Sequence, residues 1–205
     1  SAVIERLNVR NVYLGYFLEA FVVAGLTEET CKFLFLRTTW RNPAFDYQFD
    51  AIVYAVMVAL GFAAFENVKY VYSYGFATGI VRAVTAVPGH AIFGVFMGYF
   101  YGYAKLSDYW GRDDDRKAYL ALSVVVPVLM HGCYDYLAFT QESDSRFTLL
   151  FYAYLIALYV FGIRRVNRSS RDDRRVTRET VFDYFRRMQY PMPPQYRDRN
   201  DDFWR

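Results

Sequence analysis

Apolar residues fill the first 163 positions in long stretches with few charges, and after Arg164 they give way to interleaved Arg and Asp. A helix needs about 20 mostly apolar residues to cross a bilayer. Stretches of suitable length lie at 12–36, 51–72, 80–103, 118–139 and 147–163, the last being the shortest. Soluble helices are rarely apolar on every face over such lengths. The pattern therefore predicts an all-α protein, a polytopic transmembrane helix bundle of about five spans.

The mean hydropathy of +0.02 looks soluble only because the tail offsets the spans. The 20 Tyr and 19 Phe suit a bilayer protein, with Tyr anchoring at the interface and Phe facing lipid or neighbouring helices. The chain divides into a membrane domain over 1–163 and an Arg-rich tail over 164–205. The links after the first and third spans carry Arg37 and Arg41, and Lys105, Arg112, Arg116 and Lys117. The tail adds Arg164, Arg165, Arg168, Arg171, Arg174 and Arg175, whereas the link at 73–79 has no Lys or Arg and that at 140–146 has only Arg146. The positive-inside rule makes the basic links and the tail cytoplasmic, with Arg6 and Arg10 as a mild contrary signal. The start of the tail reads as a solvated segment or one lying on anionic headgroups. No motif supports nucleic-acid binding. The chain begins at Ser1 without a signal-peptide pattern, which leaves open whether spans precede it. Cys31 and Cys133 read as small core residues rather than a disulfide framework.

Ionisable groups inside the spans are costly and mark function. Adjacent Glu28 and Glu29 occupy the first span with Lys32 one turn on, and Glu66 and Asn67 occupy the second. His90 follows Pro88 and Gly89 in the third span, and His131 and Asp135 share a face of the fourth. The only two histidines are thus both at membrane depth. Neighbouring carboxylates in low dielectric resist double ionisation, and Lys32 offsets that charge, an arrangement suited to acid–base catalysis. A structural alternative pairs Glu66 with Lys69. The Pro88–Gly89 pair predicts a break that aims His90 inward. Gly25, Pro88 and Pro127 supply the kinks that converging groups require. Glu19 stands about 180° from Glu28 on an ideal helix, toward an interface or an aqueous cavity, and receives no role.

The ordered set Glu28-Glu29-x-x-Lys32, Phe62-x-x-x-Glu66-Asn67, His90 and His131-x-x-x-Asp135 resembles the PrsW family of intramembrane proteases. The resemblance covers the first four spans. It implies a membrane-embedded peptidase that cleaves single-span membrane proteins, with anti-sigma factors as the substrate class. These are cut on their extracytoplasmic side in regulated proteolysis. It also implies a prokaryotic plasma membrane location. Relatives of the family, the CAAX prenyl endopeptidases, carry His where this chain has Glu66, which favours PrsW over CAAX-type processing.

Glu28, Glu29, Glu66, His90 and His131 are then the catalytic candidates, with Lys32, Asn67 and Asp135 in support. In a metal-free version a glutamate activates water and a histidine stabilises the oxyanion. In a metal version His90, His131 and Glu66 hold Zn²⁺. The metal-free reading is preferred and requires no cofactor, because carboxylates outnumber histidines and no helix carries paired histidines. A proton-coupled transporter uses similar groups but commonly shows internal repeats, and none is apparent here. A non-catalytic scaffold for membrane partners is the third reading.

Overall fold

The computed structural model describes residues 11–176; Arg6, Arg10 and the tail beyond Val176 lie outside the described residues. Helix α1 (Val12–Phe17) opens at Asn11, whose side chain accepts from the Tyr13 amide at 3.0 Å. It runs into a π-helical stretch (Leu18–Leu26) and then α2 (Thr27–Arg37), closed by a 3₁₀ turn (Thr38–Arg41). Next come α3 (Asp50–Tyr74), α4 (Phe76–Val84), α5 (Ala86–Tyr109), α6 (Asp113–Ser143) and α7 (Arg146–Arg171). No strand forms among the described residues; an isolated bridge pairs Tyr47 with Arg175.

Four helical stretches are long and apolar enough to cross a membrane: α3, Phe76–Tyr109, α6 and α7. The outer surface is apolar, with Phe65 and Phe76 each 75% exposed. The predicted first span is present as α1, the π stretch and α2 in series. The predicted third span is divided, and the break falls at Thr85 rather than at Pro88. Proline at the third position of α5 removes the amide that would bond Val84 one turn back. The Val84 and Thr85 carbonyls instead accept from the Tyr159 hydroxyl, at 2.9 and 3.1 Å. The other end of α4 is fixed by Gly75, whose φ of 89° suits glycine and ends α3. Pro127 lies within α6 without ending it.

Helix α5 is the most buried and forms the centre of the bundle. Gly94, Gly98 and Gly102 form a stripe along it, and a Cβ at Gly98 would lie 2.5 Å from the Ala51 carbonyl oxygen and the Ile52 Cα. Ala51, Ala55, Ala59 and Ala63 form the matching buried stripe on α3. Two small-residue stripes let the backbones meet, the usual way helices pack where lipid supplies no hydrophobic drive. Helix α7 runs past Ile163 to Arg171. The chain then folds back on the loop before α3: the Val176 amide donates to Asp46 at 2.8 Å and the Gln48 amide to Arg174 at 2.7 Å. Val176 is buried beside Leu36, Phe45 and Tyr101.

Candidate active site

The π stretch sets the position of the first two carboxylates. Its wider winding rotates α2 relative to the continuation of an ideal α-helix. Gly25 and Gly132 let it lie against α6: a Cβ at Gly25 would sit 3.2 Å from the Val128 carbonyl oxygen, and one at Gly132 would strike the Phe21 ring. The first turn of α2 thus presents Glu28 and Glu29 to His131.

Glu29 is fully buried and receives two partners on Oε1, Lys32 Nζ at 2.6 Å and His131 Nδ1 at 2.8 Å. Lys32 Nζ also lies 2.7 Å from His90 Nδ1. His90 Nε2 reaches Glu66 Oε2 at 3.1 Å, and the same oxygen accepts from Arg82 Nη2 at 2.9 Å. His131 Nε2 faces Asp135 at 3.3 Å and Glu28 Oε2 at 4.0 Å. The imidazole rings are 5.0 Å apart, and Phe93 stacks on His131 at 5.1 Å. One continuous polar network therefore joins α2, α3, α4, α5 and α6.

A cavity of about 280 Å³ opens beside it, lined among others by Glu28, Glu66, His90, His131 and Asp135. Ser73 and Tyr74 at the end of α3 form part of its rim. Glu28 Oε2 and Glu29 Oε2 are buried without a hydrogen-bond partner. Glu28, His90 and His131 each offer a ligand atom, all within 4.8 Å of one another. Glu66 stands outside that trio, bound by Arg82 and His90.

Among the supporting residues, Lys32 and Asp135 join the network. Asn67 instead reaches the Gly79 carbonyl on α4 at 3.4 Å. Glu66 pairs with Arg82, while Lys69 lines the cavity. Glu19 lines the same cavity as Glu28, not the opposite face. A 180° separation assumes uniform α winding, which the π stretch breaks. Arg82 is the site residue that the sequence reading lacks, although an arginine within an apolar stretch carries the same signal as the glutamates. It stacks on Tyr70, its guanidinium carbon 3.6 Å from the ring centre.

Residues 2–163 match a family model described as the PrsW family intramembrane metalloprotease. The chain is 36% identical over 164 residues to Protease PrsW of Bacillus subtilis, covering 80% of this chain and 72% of that one. It is 35% identical over 159 residues to Protease PrsW of Oceanobacillus iheyensis (77% and 70% covered). For Protease PrsW of Clostridioides difficile the identity is 32% over 174 residues (81% and 71% covered). No solved structure matches the chain. A multi-pass helical bundle with this match over most of its length belongs to the PrsW family of intramembrane proteases.

Proposed function

We propose that the chain is a metal-dependent endopeptidase that cuts a single-span membrane protein, with anti-sigma factors as the substrate class. The observation that carries it is the trio Glu28, His90 and His131, with ligand atoms within 4.8 Å of one another. Two imidazoles and a carboxylate with one position left open form a catalytic zinc donor set. Glu28 Oε2, buried without a hydrogen bond and 3.9 Å from Lys32 Nζ and 4.0 Å from His131 Nε2, suits a metal ligand. The family's description as a metalloprotease agrees. This reading exchanges Glu66 for Glu28 among the donors and reverses the metal-free preference. That preference rests partly on the lack of paired histidines within a helix, and His90 and His131 come together from α5 and α6.

Glu28, His90 and His131 would hold the ion, which when bound polarises a carbonyl and lowers the pKa of its water. The rest of the chemistry belongs to the chain's other residues. Glu29 accepts the His131 Nδ1 proton and so turns Nε2 toward the cavity. Lys32 balances the Glu29 charge. Glu66, held by Arg82, fixes His90. Phe62 and Phe93 flank the imidazoles. By the positive-inside rule applied to the links, Ser73 and Tyr74 of the cavity lining would face outward and the tail inward, which supports cleavage on the extracytoplasmic side of a prokaryotic plasma membrane.

The test is metal analysis of the purified full chain alongside cleavage of a single-span substrate in liposomes. The expected result is one transition metal per chain, loss of cleavage on chelation, and recovery on adding metal back. His131→Ala and Glu28→Gln should lose the metal. Full cleavage by thoroughly chelated protein would sink the metal but leave the peptidase. Absence of cleavage by metal-loaded protein on any single-span substrate would sink both.

A further inference from the structure

The far end of α7 borders further cavities that share no lining residue with the one at the α3 C-terminus. Arg164 and Arg165 directly follow Ile163, the end of the apolar run of α7, and Arg168 lies one turn further on. They therefore stand at headgroup level if the apolar run of α7 spans the hydrocarbon. An apolar groove of about 440 Å³, walled by Phe96, Met130, Tyr154, Leu158 and Phe161, ends at these arginines. A polar cavity of about 310 Å³ shares Arg165 and Arg168 with that groove and is lined also by Tyr99, Tyr103, Ser169 and Arg174. The Arg165 guanidinium lies 4.1 Å from the centre of the Tyr99 ring, which holds it in place. The carboxylate lining the polar cavity is Asp172, 3.6 Å from Arg168. Arg165, Arg168 and Arg174 against one aspartate leave an excess of positive charge around a space large enough for a phosphodiester.

We propose that this composite site binds an anionic phospholipid. One acyl chain lies in the groove, and the phosphodiester sits on Arg165 and Arg168. Charge complementarity selects this occupant. A neutral lipid would fill the groove and leave the guanidiniums unmatched, and a soluble anion would leave the groove empty. The lipid would bridge α5, α7 and the loop before α3, adding to the direct Arg165–Tyr99 contact and to the 172–176 segment that already join them. The proposal stands independently of the peptidase reading.

The test uses the full chain in neutral detergent, with lipid retention read by native mass spectrometry and melting temperature read in parallel. Phosphatidylglycerol should be retained and should raise the melting temperature, whereas phosphatidylcholine of the same chains should do neither. Arg165→Gln with Arg168→Gln should weaken phosphatidylglycerol retention about thirtyfold, taking about fivefold per arginine near a membrane surface. Arg165→Lys with Arg168→Lys should retain most of it. If circular dichroism shows the Gln pair unfolded, Arg168→Gln alone takes its place, with a loss of about fivefold expected. Wild-type retention in the folded Gln variant would overturn the proposal, as would equal retention of both lipids by the wild type. So would full stabilisation by inorganic phosphate, which would mark a soluble anion site. No lipid retention by the wild type would overturn it too.

Discussion

The Lys32 ammonium lies 2.7 Å from His90 Nδ1, inside a bundle where both side chains are almost wholly buried. An ammonium only donates, so Nδ1 accepts and the ring proton sits on Nε2, facing Glu66 at 3.1 Å; with both nitrogens engaged, His90 would hold an ion only by giving up one of these two bonds. Glu29 fixes the other histidine in the opposite sense, accepting from His131 Nδ1 at 2.8 Å. Lys32 and Glu29 together thus set the orientation of both imidazoles.

Lys32→Met should therefore lower cleavage by about 10–100-fold, the usual cost of losing a partner that orients a ligand. The methylene stem is largely preserved, so a folded protein is expected. Liposome cleavage assays with circular dichroism check this. Unchanged turnover would remove Lys32 from the site.

The two adjacent glutamates should separate. Glu28→Gln should abolish cleavage and metal retention together, because Glu28 faces the cavity. Glu29→Gln should leave about 1–10% of the activity, since it acts through His131 and its amide oxygen still accepts from Nδ1. Equal loss in both variants would argue against this division of roles.

Arg82 and Glu66 form a partly buried pair, with 18% and 16% of their side chains exposed. Arg82→Gln or Glu66→Gln alone should destabilise by less than the ~3–5 kcal/mol of a fully buried pair, and the double variant by less than the sum. A double-mutant cycle of unfolding in detergent measures it. Strict additivity would mean the pair contributes no coupling.

The glycines of the bundle offer a test of packing. Gly98→Ala should destabilise by about 1–3 kcal/mol, because its Cβ would meet backbone atoms of α3 at 2.5 Å. Gly61→Ala, with nothing within 4 Å of the new Cβ, should be neutral or stabilising by up to ~1 kcal/mol through helix propensity. Equal effects on melting temperature would refute close α3–α5 approach as the reason for Gly98.

Much of the site is legible in the sequence because lipid makes ionisable residues conspicuous. Glu28, Glu29, Glu66, His90, His131 and Asp135 each interrupt an apolar run, and the structure joins them in one network. The remainder depends on geometry that no residue letter carries. Counting turns of 3.6 residues puts Glu19 on the wrong face, because the intervening stretch winds more widely. The break at Thr85 precedes Pro88 because proline disrupts the turn before itself. Arg82 stands out by its charge, but its place beside Glu66 depends on the short α4 between Gly75 and Thr85. The α3–α5 interface is written as a four-residue spacing of Gly and Ala, a signal weaker than any charge.

The π stretch makes the site depend on local winding as well as on residue identity. If Leu18–Leu26 wound as an ordinary α-helix of the same length, each residue would turn further about the axis than in the π stretch, and the rest of the helix would swing round. Glu28 and Glu29 would then turn away from His131 with every site residue still in the chain. An intact motif set on a uniformly wound first helix would not assemble this network, so the winding of the segment is itself part of what positions the site.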